Sequence, residues 1–243
     1  MAKIRPKYAI LRAIFVEVMH KISCIIPAYN ERMRIGRVLE VVTTHPHIAE
    51  VIVVDDRSTD GTGEVVKRFP SVHLITKEKN QGKSKAIYDG IHASTGDILL
   101  FLDADLIGIT AEAISTLIDP VYENKADVSI SLRENAPFLW RWIGLDYISG
   151  ERVMYKKMIM DHIEEIPKLS AFGLEVFMNK ILITSKARIK ISYWKGIQSP
   201  YKSTKMGFWA GMWADVKMMK DIFTTVPPYA TVRQIVQMRR LRV

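Results

Sequence analysis

The stretch that most restricts what this chain can fold into is Val51-Ile-Val-Val-Asp55-Asp56-Arg57-Ser58-Thr59-Asp60-Gly61-Thr62. Four consecutive β-branched residues with no polar interruption describe a strand buried on both faces, as in the middle of a parallel sheet. The run stops on two carboxylates, and a turn of Ser, Thr, Asp and Gly leads into a helix start. Open α/β sheets bind ligands just outside the carboxyl ends of such strands. Two further runs are built alike. Ile22 to Pro27 leads into Ala28-Tyr29-Asn30-Glu31, and Ile98 to Leu102 leads into Asp103-Ala104-Asp105. In a parallel sheet these tips converge on one crevice.

Strands are expected at Ile22 to Pro27, Val51 to Asp55, Val72 to Thr76, Ile98 to Asp103 and Val128 to Ser131. Helical patterns fall between them at Arg32 to Thr44, Gly63 to Phe69, Lys83 to His92 and Thr110 to Val121. Strict alternation of this kind means βαβ units and a mainly parallel sheet. Beyond Arg133 it ends. Pro137 to Ile166 reads as largely helical, Phe172 to Thr184 as a helix carrying Glu175, and Ala187 to Trp194 as an antiparallel strand with Ile189, Ile191 and Tyr193 on one face. Tyr201 to Phe223 and Tyr229 to Leu241 read as basic amphipathic helices separated by Pro227-Pro228. The expected division is an amphipathic segment over 1–20, an α/β domain over 21–195 and basic C-terminal helices over 196–243.

Charge sharpens that division. The net charge is +9, yet residues 176–243 hold thirteen Lys/Arg against Asp215 and Asp221, which leaves the first 175 residues at about −2. Apolar content of 48% with 25% charged residues is ordinary globular composition. The single cysteine, Cys24, sits in an expected buried strand and can make no intrachain disulfide. No run reaches the roughly 18 uncharged apolar residues of a spanning helix, and Tyr8 to Met19 is broken by Arg12 and Glu17. The expectation is a cytoplasmic protein, peripheral on the inner face of the membrane. The helix bearing Lys202, Lys205, Lys217 and Lys220 beside Trp209 and Trp213 is suited to an anionic leaflet, or to packing on the sheet.

Each motif has a chemical use and a plain one. Pro27-Ala28-Tyr29-Asn30-Glu31 offers a rigid strand exit, a ring for stacking a flat base and polar groups to bind it; otherwise it is a turn. Asp56 can accept from a nucleobase or a ribose hydroxyl, and Asp60 suits a helix cap. Asn80-Gln81-Gly82-Lys83 places glycine and a cation at a helix start, where phosphate is favoured, although the P-loop spacing is absent. In an extended chain Asp103 and Asp105 point the same way, toward one hard cation or one cation and a sugar hydroxyl. Carboxylates with water and phosphate oxygens are the usual ligands of Mg²⁺ or Mn²⁺.

These motifs, with Ser58-Thr-Asp-Gly-Thr62 and Phe101-Leu-Asp-Ala-Asp-Leu106, stand in an order and spacing that resembles family 2 glycosyltransferases of the GT-A fold over about residues 21 to 135. The pattern is similar to that of dolichyl-phosphate (polyprenyl-phosphate) mannosyl- and glucosyltransferases. The resemblance implies a Rossmann-like, mainly parallel sheet flanked by helices, a nucleoside diphosphate sugar donor, and a divalent metal. It also implies that Pro27, Tyr29, Glu31 and Asp56 hold the nucleotide base and ribose; Ala28 beside them and Lys83 at its helix start complete the nucleotide-sugar candidates. Asp103 would serve the nucleotide sugar, and Asp105 the metal, with Asp103 as a candidate second ligand. Three positions depart from the pattern: Arg57 where a small residue is usual, Ile107 where a glutamine ligand is common, and no histidine after His162.

In the second half, Gly150-Glu151-Arg152 and Ala171-Phe-Gly-Leu-Glu175 more loosely resemble acceptor-side segments. Arg152 is a candidate clamp for an acceptor phosphate. Glu175 is a candidate for orienting the sugar, for positioning Arg152, or for the catalytic base. The implied acceptor bears phosphate, with polyprenyl phosphate first and a phosphoglycerate-like molecule second. A nucleotidyltransferase is the rival enzyme. An oxidoreductase is disfavoured, since no GxGxxG follows the first strand, and nucleic acid is not an expected partner.

Overall fold

A computed structural model describes residues 20–169, 173–199 and 227–243. The expected amphipathic segment before residue 20, the basic helix over 201–223 and the pair Ala171-Phe172 therefore lie outside the described residues. In chain order the elements are β1 (Ile22–Ala28), α1 (Ile35–Val42), β2 (Ile48–Asp55), α2 (Thr62–Val66), β3 (Val72–Thr76), α3 (Lys83–Ala93), β4 (Ile98–Phe101), α4 (Ala111–Tyr122) and β5 (Val128–Arg133). They continue as α5 (Phe138–Ile143), β6 (Arg152–Tyr155), α6 (Lys157–Met160), a 3₁₀ turn (Ile163–Lys168), α7 (Gly173–Thr184), β7 (Ile189–Trp194) and α8 (Pro228–Arg240).

Seven strands form one sheet in the order β3-β2-β1-β4-β6-β5-β7. Neighbours are parallel except where β6 lies antiparallel between β4 and β5. Alternation distributes each strand over two cores: Ile25, Phe101 and Ile130 face the layer of α3, α5 and α7, whereas Cys24, Ile26, Val53 and Leu100 face α1 and α4. Helix α3 lies so close to β1 that a Cβ on Gly90 would meet Ile25 Cγ2 at 2.4 Å. The closing helix α8 returns to pack on α7, and Val243 N donates to Ile189 O on the outer strand.

Two expectations for the second half are corrected. The span 137–166 is not one largely helical stretch: its first helix stops at Gly144, whose φ of 72° ends it, and β6 follows before the short α6. With four residues, of which Val153 and Met154 bury on opposite faces, β6 is too short to impose a readable period. Strand β7 runs parallel to β5, not antiparallel, because α7 carries the chain back to the same sheet end. Tyr193 keeps the face of Ile189 and Ile191, in unbroken register with β5, but is exposed near the end of this edge strand.

Candidate active site

The carboxyl ends of β1, β2 and β4 open on a single cavity of about 500 Å³. Its lining includes Pro27, Ala28, Tyr29, Glu31, Asp56, Lys83, Asp103 and Asp105, so the donor-side residues selected in the sequence share one cleft. Volume and lining suit a small polar ligand with one flat part. Tyr29 stands on the rim, 49% exposed.

Two loops are sewn together beneath it. Asn30 N donates to Ser58 Oγ (2.9 Å), Thr59 N to Asn30 Oδ1 (2.9 Å), Glu31 N to Thr62 Oγ1 (2.8 Å) and Arg32 N to Asp60 Oδ2 (3.0 Å). This stitching holds Asn30 (φ 56°) and Arg57 (φ 69°) in the left-handed region, at a cost of about 1 kcal/mol or more each for such residues. Asp60 also accepts from Thr62 N (2.9 Å), the first residue of α2, although the N-cap position itself is held by Gly61.

The structure changes the reading of the helix start at Lys83. Two backbone donors just ahead of it are taken by protein: Asp56 Oδ1 accepts from Gln81 N (2.9 Å), and Asp56 Oδ2 accepts from Gly82 N (2.6 Å) and Gln81 N (3.1 Å). Asp56 therefore fixes the loop that forms one cleft wall, and those N–H groups are not free for phosphate. Lys83 Nζ lies 2.8 Å from Asp103 Oδ1 and 3.1 Å from Glu175 Oε1. Burial disfavours its charge, but the two carboxylates outweigh that and push its pKa up. Burial likewise works against Asp103, and the Lys83 ammonium overcomes it, holding this carboxyl below its usual range.

Among the described residues, Asp105 has no such cation in contact. β4 ends at Phe101, so Asp103 and Asp105 lie in a turn and not on the extended strand expected. Burial, then the charges of Asp103 and Glu31, and less strongly Glu151, push the Asp105 carboxyl up to about 6, against one hydroxyl donated by Ser199 (3.2 Å). Among the described residues no group of three or more His, Cys, Asp or Glu side chains is arranged to hold a metal. The protein thus offers a hard cation one or two carboxylates, the number with which Mg²⁺ is commonly held when substrate phosphates and water complete its shell.

The acceptor-side expectations fare unevenly. Arg152 is 0% exposed and turned into the fold, donating to Ser149 O (2.7 Å), Asn179 Oδ1 (2.7 Å) and Tyr147 O (3.2 Å). In this arrangement it braces the 147–152 turn and cannot clamp an acceptor. Glu175 does reach the site: it is 3% exposed, with Oε1 on Lys83 and, among the described residues, Oε2 without a hydrogen-bond partner.

Arg133 and Ser199 join the site unexpectedly, and Gly150, expected only within an acceptor-side segment, lies against the ion pair. Arg133, at the tip of β5, contacts Glu151 (3.3 Å) and Ser199 Oγ, and its charge is felt at Asp103 and Asp105. It ends a strand whose alternate residues Val128, Ile130 and Leu132 are apolar, and so stands at a strand tip as the acids do. Ser199 is brought in by backbone pairing of Ile107 with Gln198 (2.8 and 3.0 Å), which no local pattern announces. Gly150 passes against the ion pair, where a Cβ would lie 2.7 Å from Lys83 Nζ and 2.8 Å from Asp103 Oδ1.

The family model for glycosyl transferase family 2 matches residues 23–174, which spans every donor-side cleft residue named above. The chain belongs to glycosyl transferase family 2. It is 30% identical over 210 residues to a dolichol-phosphate mannosyltransferase of Pyrococcus furiosus, covering 74% of this chain and 56% of that protein. It is 28% identical over 163 residues to glycosyltransferase GlyA of Streptococcus pneumoniae, covering 63% of this chain and 23% of that one. The chain thus spans about half of one family 2 relative and a quarter of the other. Glucosyl-3-phosphoglycerate synthase from Mycobacterium tuberculosis, solved with Mn²⁺ and UDP-glucose, superposes with a TM-score of 0.63 at 19% identity over 85% of this chain and 79% of that one. At that identity the likeness is one of fold, and it agrees with the Rossmann-like GT-A sheet described above.

Proposed function

We propose that this family 2 chain transfers a hexose from a nucleoside diphosphate sugar to a phosphate-bearing acceptor, with a polyprenyl phosphate at a membrane surface as the acceptor class. The observation that carries the reading is the cleft itself: a stacking ring at Tyr29, a cation at Lys83, and an acid at Asp105 surrounded by like charge. Tyr29 and Glu31 receive the base and ribose, with Pro27 and Ala28 as the floor. Asp103, held by Lys83, faces the sugar. Asp105 would hold Mg²⁺ or Mn²⁺, since an acid that resists ionisation among carboxylates is stabilised by a divalent cation. Bound there, the metal offsets charge on the departing diphosphate. In the transfer, the bond from the anomeric carbon to the diphosphate oxygen breaks and one to the acceptor oxygen forms; the nucleoside diphosphate leaves with the electron pair.

A phosphate acceptor is already anionic at neutral pH and needs no base. This suits Glu175, whose burial and contact with Lys83 keep it from solvent. Arg133 replaces Arg152 as the candidate for meeting the acceptor's charge. The mannosyltransferase relative supports the polyprenyl reading, and the fold likeness to a phosphoglycerate enzyme supports a water-soluble phosphate acceptor as the second.

The test offers radiolabelled nucleotide sugars and Mn²⁺ with either a prenyl phosphate or 3-phosphoglycerate. Label in the prenyl product, lost in Asp105→Ala, is expected. Label only in the phosphoglycerate product would replace the acceptor, and release of pyrophosphate would replace the reaction.

A further inference from the structure

Helix α5 is anchored by one tryptophan and presents another to solvent. Trp140 is wholly buried, its ring 5.8 Å from that of Tyr147, while Phe138 and Trp142 are 72% and 75% exposed and Leu139 is also exposed. Large apolar side chains displayed together on a braced helix mark a contact surface. At its far end, a Cβ on Gly144 would lie 3.1 Å from Arg242 Nη1 and 3.5 Å from Tyr193 Oη, and Tyr193 is itself exposed. On α8, Tyr229, Val232 and Val236 form an exposed stripe at helical spacing, opposite the buried Thr231 and Met238.

The charge around these residues is predominantly positive, with Glu134 the acid among them. Residues 136–144, 176–199 and 227–243 contain ten Lys/Arg side chains, Arg141 and Lys195 among them, and no Asp or Glu. Exposed aromatic and aliphatic groups flanked mainly by cations match an anionic bilayer, where rings and chains enter the acyl boundary and basic groups meet headgroup phosphates. Stacking on nucleic acid would use the rings but leave Leu139, Val232 and Val236 without a role.

This surface stands beside the cleft. Asn135 Nδ2 donates to Ser199 O (2.9 Å), and Ser199 Oγ donates to Asp105, so α5 begins three residues beyond a side chain tied to the acid cluster. A second cavity, of about 300 Å³, lies between them, with Arg133, Glu134, Arg141, Tyr193 and Lys195 in its walls.

We propose that α5 is an interfacial wedge by which this protein docks on an anionic bilayer, with Phe138, Leu139 and Trp142 in the lipid and Arg141 and Lys195 at the headgroups. The inference rests on the membrane-borne acceptor proposed above and adds the face by which it arrives. The rim of the cleft meets the bilayer, and the acceptor phosphate reaches Asp105 while its tail stays in lipid.

The test is co-sedimentation of the full chain with phosphatidylglycerol vesicles. Phe138→Ser/Trp142→Ser should lower vesicle affinity about tenfold or more, melt no lower than wild type, and keep its turnover on a water-soluble short-chain prenyl phosphate. Arg141→Gln/Lys195→Gln, which leaves the rings in place, should weaken binding to anionic vesicles and leave that to neutral ones unchanged. Equal vesicle binding by wild type and the Phe138/Trp142 variant would overturn the wedge, as would a wild type that ignores vesicles. The wedge is also overturned if that variant only converts a dimer to a monomer, which assigns the face to a second copy, or only loses retention on oligonucleotide. Intact, variant-sensitive vesicle binding with no turnover on any prenyl phosphate would uphold the wedge and remove the acceptor.

Discussion

Lys83 is the residue on which the cleft's electrostatics turn, and Lys83→Met is the perturbation that exposes it. The substitution keeps the side chain's length and removes the cation that lies within 3.1 Å of both Asp103 and Glu175. Glu175, at 3% exposure, then has neither oxygen paired among the described residues. Breaking a fully buried ion pair costs about 3–5 kcal/mol. The Lys83 and Asp103 side chains are 35% and 27% exposed, so water recovers part of this, and about 2–3 kcal/mol remains. For a chain of this size that lowers the melting temperature by about 4–12 °C. The deficit is read at pH 8 and again at pH 5. Adding Glu175→Gln removes the stranded charge and should restore at least about 1 kcal/mol, read as coupling in a double-mutant cycle. Scanning fluorimetry of the four proteins at both pH values decides it. A deficit below about 1 °C at pH 8, or a Glu175→Gln substitution that adds its own loss, would refute the reasoning.

The other expectations use the same region. Gly150→Ala drives a methyl against the far ends of Lys83 and Asp103, which can move; the melting temperature should hold within about 2 °C while sugar transfer falls about 10- to 100-fold. Asp105 and the buried Asp146 are both pushed up to about 6 by burial first, Asp105 then by neighbouring carboxylates and Asp146 against the pull of Arg133. A carboxyl raised in the folded state contributes stability that is full below about pH 4 and lost as pH rises through 6. The metal-free protein should therefore melt higher at pH 5 than at pH 7.5. Asp105→Asn and Asp146→Asn should each flatten that slope and recover about 1–2 kcal/mol at pH 7.5. Arg133→Gln should raise the KM for the acceptor more than that for the donor in steady-state assays; equal effects would place Arg133 outside the acceptor contact.

The donor half of this molecule was legible because its central strands β1, β2 and β4 are buried on both faces and give way abruptly to polar residues. β1 to β5 and their helices follow from that contrast, and so does the convergence of Tyr29, Asp56, Lys83 and Asp105 on one cavity. What the chain concealed were partners chosen across the fold. Nothing near Asp56 announces that it will take the backbone N–H groups at Gln81 and Gly82, so a residue suited to ribose serves as a loop clamp. Arg152 looks like an anion clamp in one dimension, yet a four-residue strand set between β4 and β5 turns it inward. Helical spacing across Pro137 to Ile166 masked that strand because each of its segments is shorter than two periods. Arg133 shows the converse: its position at a strand tip was visible, but its meaning required the sheet order that brings β5 beside β6 and both beside the acids.

The most direct measurement of the central claim is calorimetric binding of UDP- and GDP-sugars to wild type and to Asp105→Ala, each with and without Mn²⁺. Wild type should bind at least one nucleotide sugar, more tightly by about tenfold or more with the metal. Asp105→Ala should keep its fold and lose that metal-dependent gain. A wild type that binds no nucleotide sugar, or an Asp105→Ala protein with the full Mn²⁺ enhancement, would contradict it.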